Sequence, residues 1–173
     1  VIYPILTGYT GQYIDKEEDM LAEINLYLDN LKDYLTRFKE VLDEIGDDVA
    51  VLNWRPRQSG LSSIFATTAF AALNIEFWIG HIIGGRTEPP GYDSVLEEAK
   101  GENSLVLHQL LESALETSRL VIENYKAKDL DKTFDYADEF YTARWCILQA
   151  LLETAQRYGQ VETILQWIRD DRN

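Results

Sequence analysis

The sequence predicts an all-α fold: an up-and-down four-helix bundle with a long connection between its second and third helices. Three observations carry this expectation. Apolar residues recur at helical spacing through several long segments, Gly and Pro gather in the gaps between them, and no segment shows the alternation of a half-buried strand. At 173 residues the chain is long enough to bury a real core and is read as one domain over residues 1–173.

Taken in order, Val1 to Tyr13 holds Gly, Pro and aromatics and reads as an irregular lead-in. The first helix is predicted over Asp15 to Ile45. Leu21, Ile24, Leu28, Leu31, Leu35, Phe38, Leu42 and Ile45 alternate spacings of three and four, an apolar seam with the period of a bundle helix. Asp15 suits an N-cap, and Glu17, Glu18 and Asp19 suit the positive end of the helix dipole. Gly46 ends the helix as a C′ glycine. Leu52 to Gly60 reads as a loop punctuated by Pro56 and Gly60.

The second helix is predicted from Ser62 to Ile83, closed by Gly84 and Gly85. Arg86 to Gly91 contains Pro89 and Pro90 and reads as a turn. A short helix is predicted over Tyr92 to Lys100, and the third long helix from Ser104 to Tyr125, with Leu107, Leu110, Leu111, Ala114, Leu115, Ser118, Val121, Ile122 and Tyr125 along one side. Lys126 to Phe134 is a charged connector. The fourth helix is predicted from Ala137 to Arg169, with Trp145, Leu148, Leu151, Leu152, Ala155, Ile164, Leu165 and Ile168 facing inward. Gly159 in its middle costs about 1 kcal/mol relative to alanine, which suggests close packing or access to a pocket.

Composition narrows the function classes. Apolar residues are 46% and charged residues 27%, as in ordinary globular proteins. A net charge of −14 argues against nucleic acid and against an anionic membrane surface, both of which call for clustered Lys and Arg. One cysteine, Cys146, excludes an internal disulfide framework and a cysteine-based metal cluster, and suits a reducing cytoplasm. Val1 to Gly11 lacks the basic region and apolar run of a signal peptide. The low-charge stretch from Ser59 to Gly85 carries Ser62, Ser63, Thr67, Thr68, Asn74 and Glu76. It is therefore expected to be a buried bundle helix in a soluble protein, not a membrane span.

The segments LNWRPRQSGLSSI and FWIGHIIGG, with TARWCILQALLETAQRYGQVETILQWI near the C-terminus, resemble the second and last helices of the DinB-like (damage-inducible) superfamily. The resemblance covers the order of helices over nearly the whole chain. It implies a four-helix bundle and a kinship with thiol-dependent transferases and isomerases that act with mycothiol or bacillithiol. Members with a metal use three histidines, one on the second helix and two on one face of the fourth, where a four-residue spacing lets both reach one ion. The corresponding positions here are Phe70, Glu153 and Arg157. Phenylalanine ligates nothing and a guanidinium repels a cation, so no metal and no cofactor is expected.

What remains is a candidate small-molecule pocket near Phe70, Asn74, Glu153 and Arg157. Glu153 and Arg157 form either an ordinary i,i+4 ion pair or a fixed charge pair that holds a ligand carboxylate or phosphate. Three functions follow: a metal-free bundle binding a small molecule or partner, a thiol-dependent transferase or isomerase using Arg157 and Glu153, or an assembly module. A homodimer is expected, its interface marked by an apolar patch on the first or fourth helix. His81 and His108 read as surface or packing histidines and Cys146 as a buried, inert thiol. Ser62 and Ser63 read as helix-start residues, and Thr67, Thr68 and Asn74 as polar groups bonded to the preceding turn or a neighbouring helix. Trp54, Trp78, Trp145 and Trp167 read as core and interface aromatics.

Overall fold

The computed structural model describes residues 16–56, 60–87, 101 and 103–171. The lead-in, the Asp15 cap, the proline pair at 89–90 and the short helix expected over 92–100 lie outside these residues. Helix α1 is Lys16–Ile45, and α2 is a short helix at Val49–Asn53. Helix α3 is Ile64–Ile75 and continues as a π-helical segment, Glu76–Ile83. Helix α4 is Leu105–Ile122, and a 3-10 turn at Ala127–Asp131 leads to strands β1 (Thr133–Tyr136) and β2 (Glu139–Thr142). Helix α5 is Ala143–Asp171.

Each boundary has a local cause. Gly46 takes a left-handed φ of +59° and its N–H donates to Leu42 O at 2.8 Å, so α1 ends where the sequence predicts. Ser63 caps α3, its hydroxyl accepting from Ala66 N at 3.2 Å. The predicted loop begins later than expected, because Asp48 caps Val51 N at 3.1 Å and turns Val49–Asn53 into helix. The fourth helix also starts later than the predicted Ala137. Residues 133–142 form a hairpin pairing Thr133 with Thr142 and Tyr136 with Glu139. Its turn places Ala137 and Asp138 at φ 54° and 65°, the mirror-image geometry that matches strand twist, without the Asn-Gly pair that advertises it.

The four long helices pack as a ring. Helix α1 lies against α4 and α5, and α3 lies against the same two, so α1 sits diagonally from α3 and α4 from α5. Side-chain pairs fix the directions. Arg144 meets Glu23 and Arg169 meets Glu44, so α5 runs parallel to α1. Lys39 meets Glu112 and Asp43 meets His108, so α4 runs antiparallel to α1. Glu76 reaches Ser113 and Thr117 while Gly84 approaches Val121, so α3 and α4 run parallel. Direction thus alternates from the first long helix to the second and from the third to the fourth, but not from the second to the third, so the expected up-and-down order is corrected to up-down-down-up across the long connection.

The core lies inside this ring. Ile24, Leu31, Leu35, Phe38 and Leu42 of the predicted α1 seam are buried, facing Leu107, Leu111, Ala114 and Ile122 of α4. On α5 the inward face is Ala143, Cys146, Ile147, Ala150, Thr154, Val161, Ile164, Leu165 and Ile168. Trp145, Leu148 and Leu152, expected inside, are instead exposed at 41%, 37% and 64%. In the first half of α5 most inner positions are small (Ala143, Cys146, Ala150 and Thr154), and Trp145, Leu148 and Leu152 fall about a third of a turn or more away. Gly159 is exposed, and a Cβ there would meet nothing within 4 Å, so neither close packing nor pocket access explains it. By length and composition the segment Ile64–Ile83 could span a membrane, but 78% of its apolar window is buried inside the fold.

Candidate functional site

The start of α3 and the middle of α5 enclose a cavity of about 120 Å³. Its walls are Gly60, Leu61, Ser62, Ala66, Thr67, Phe70, Arg157 and Gln160. Gly60 and Ser62 are exposed and form the mouth, while Ala66 and Thr67 are buried and form the floor. The Ser63 cap turns the chain into α3, which brings the amide-rich end of that helix beside the opening.

Arg157 dominates the polar lining. Its guanidinium stacks over the Phe70 ring at 4.3 Å from the centroid, and Nη1 donates to Gln160 Oε1 at 3.1 Å. Nε is buried without an acceptor among the described residues. None of the ion pairs among those residues includes Arg157. Thr67 is 3% exposed, and among the described residues its side chain makes no hydrogen bond.

The four predicted site residues thus divide. Phe70 and Arg157, far apart in sequence, meet at the cavity wall. Asn74 is buried one turn deeper, outside the lining, with Nδ2 unsatisfied among the described residues. Glu153 is also outside the lining, and its carboxylate accepts from Gln149 Nε2 at 2.6 Å. The expected Glu153–Arg157 ion pair does not form, because Gln149 and Gln160 offer each partner a neighbour on its own helix while Phe70 draws the guanidinium aside. No group of three His, Cys, Asp or Glu side chains among the described residues is placed to hold a metal ion.

The other singled-out residues have structural partners. His81 Nδ1 meets Arg86 O, and its ring lies near Phe77 and Tyr136. His108 faces Asp43 at 3.4 Å. Cys146 is fully buried, and burial pushes its thiol up to about 11. Trp78 packs edge-on against Trp145 at 5.0 Å and Tyr141 at 5.6 Å. The hairpin thereby lays Tyr136 and Tyr141 over the aromatic side chains of the π-helical segment.

Sequence reasoning missed a second polar centre. Glu76, buried at the start of the π-helical segment, accepts from Ser113 Oγ at 2.9 Å and Thr117 Oγ1 at 2.8 Å, and pairs with Arg86 Nη1. Arg86 Nη2 also donates to Thr117 Oγ1 at 2.7 Å. Gly80 leaves room for this network: a Cβ there would stand 3.0 Å from both Glu76 Oε2 and Thr117 Cγ2. Glu76 is the lone carboxylate between Ile64 and Ile83, which is the signal that marks it. Its cationic partner, ten residues on, is not at a helical contact spacing.

Comparison of the chain with protein-family models and with curated proteins found no match.

Proposed function

We propose that the chain is a divergent DinB-like bundle in which a small-molecule site occupies the position of the family's metal. The helix order, the long connection between the second and third helices, and the sequence motifs around Phe70 and Arg157 support the kinship. The observation that carries the functional reading is the cavity where Phe70 and Arg157 meet, with the guanidinium Nε unpaired among the described residues. A cavity of about 120 Å³ takes a molecule, or one end of a molecule, of roughly six heavy atoms, by analogy with a 150 Å³ protein cavity that admits benzene. The thiol-transfer alternative retains Arg157 at the cavity but not Glu153, so binding is the better supported of the two.

The test is a melting scan of the metal-analysed protein with Ni²⁺, Zn²⁺ and a panel of small polar molecules. A ligand at a hundred times its dissociation constant adds about 2.7 kcal/mol, or roughly 5–10 °C for a domain of this size. A shift with a panel member, absent in Phe70→Ala, supports the reading. Stoichiometric nickel or zinc in the purified protein overturns it.

A second reading rests on a separate observation. Trp145, Leu148 and Leu152 form an exposed apolar stripe on α5. This is where a homodimer interface on the fourth helix would lie. Sedimentation that finds only monomer at high concentration rejects it.

A further inference from the structure

We infer that the cavity at the start of α3 binds a small oxyanion, a carboxylate or phosphate group held by the Arg157 guanidinium and the Thr67 hydroxyl. The inference rests on the reading that this cavity is a ligand site, and it names the chemistry of the ligand. Four observations converge on it.

The first is the guanidinium itself. Gln160 accepts from Nη1, the Phe70 face fixes the plane, and Nε is shut in without an acceptor among the described residues, so the Nη end is what an entering oxygen can reach. A guanidinium offers its N–H groups in a planar fork that suits the oxygens of a carboxylate or phosphate. The second is charge. In a chain of net charge −14, Arg157 stands with no carboxylate within 4.0 Å among the described residues. A partly buried cation without a counter-charge is unfavourable, and an anion entering the cavity relieves that.

The third is Thr67. Its side chain is 3% exposed, lines the cavity and has no hydrogen-bond partner among the described residues, so its O–H is available to donate to an entering oxygen. The fourth is the helix. Gly60, Leu61 and Ser62 lead directly into the N-terminus of α3, where the helix dipole favours negative charge. The cavity volume of about 120 Å³ then sets the size of the group that enters it: an acetate- or phosphate-sized group fits.

The experiment is a melting and calorimetric titration of the full chain with sodium acetate, sodium phosphate and neutral acetamide, at constant ionic strength. Wild type is expected to bind acetate or phosphate saturably and acetamide at least about tenfold more weakly, since a charge-assisted pair is roughly twice as strong as a neutral one. Whichever of acetate and phosphate binds tighter identifies the group. Arg157→Gln is expected to weaken binding by about tenfold or more, and Thr67→Val by a few-fold. Thr67→Val keeps shape and apolar packing, so it serves if Arg157→Gln fails to fold. Acetamide binding as well as acetate, or unchanged affinity in both variants, overturns the oxyanion while leaving the ligand site standing. No saturable binding of any of the three overturns both.

Discussion

Replacing Thr117 by valine removes one hydroxyl from the centre of the Glu76 network and leaves its shape in place. Thr117 is 2% exposed, and its Oγ1 donates to Glu76 Oε1 at 2.8 Å while accepting from Arg86 Nη2 at 2.7 Å. A hydrogen bond to a charged group contributes about 1.5–3 kcal/mol when buried. The Glu76 bond belongs to that class, because the Glu76 side chain is only 11% exposed. The Arg86 bond adds little, because that side chain is 52% exposed and water replaces the lost acceptor. Glu76 also keeps Ser113 and Arg86 as donors. The expected loss is therefore about 2 kcal/mol, or roughly 4–8 °C in Tm for a domain of this length. Thr154→Val is the internal control. Thr154 is as fully buried, but its hydroxyl donates to Ala150 O at 2.7 Å, within its own helix. That carbonyl already accepts along the helix, so its loss costs only about 0.5–1 kcal/mol. Urea unfolding followed by circular dichroism gives both values. Equal destabilisation by the two variants would falsify the claim that Thr117 serves a charged network.

Three further outcomes follow from the same geometry. Gly80→Ala places a Cβ 3.0 Å from Glu76 Oε2 and Thr117 Cγ2, and is expected to cost about 1–3 kcal/mol by overpacking; combining it with Thr117→Val, which leaves that methyl in place, should not rescue it. Cys146 should resist a thiol reagent at pH 8 and react fully in guanidinium, because burial raises its thiol from 9.0 to about 11; the stability this group contributes is complete below about pH 9 and is lost as pH rises through about 11. Tyr27, partly desolvated and beside the Glu23 carboxylate, is raised from 10.0 to about 12, and burial raises Tyr158 likewise, so late-titrating phenols should appear in the ultraviolet titration and Tyr27→Phe should remove one phenol's share of that late absorbance. If that variant keeps the full late absorbance of wild type, Tyr27 is not a late group.

Several parts of the fold were readable because one local rule governs them. The α1 seam is a single repeat of apolar residues, and Ile24, Leu31, Leu35, Phe38 and Leu42 are all buried. Gly46, Ser63 and Gly84 mark helix ends through backbone chemistry that acts over a few residues. The misread parts need contacts between distant residues. Strands β1 and β2 are four residues each, mostly exposed, and joined by Ala137–Asp138, so neither burial nor turn chemistry announces them. The inward face of α5 uses Ala143, Ala150 and Thr154, which carry little hydrophobic signal, while Trp145 and Leu152 point outward. Helical spacing correctly placed Glu153 and Arg157 one turn apart but could not show that Phe70 would draw the guanidinium away.

The parallel course of α3 and α4 ties these features together. Two neighbouring helices that run the same way require the chain to return along the bundle before the second can begin. For a helical segment of 20 residues that return is about 30 Å, at least about nine residues at full extension. The long connection is therefore a consequence of topology. Both ends of it are held by side chains, from the π-helical segment and α4 at one end and from α2 at the other. Arg86 is drawn to Glu76 and Thr117 just after the π-helical segment, and Gly101 exchanges two 2.8 Å hydrogen bonds with the Asn53 amide just before α4. Gly101 also lies so close to Phe65 that a Cβ would fall 1.9 Å from its ring. Phe65 and Ala66 are consecutive on α3, so the residue that receives the returning chain adjoins the floor of the Arg157 cavity. The packing that closes the topology thus also fixes the end of α3 on which the candidate site is built.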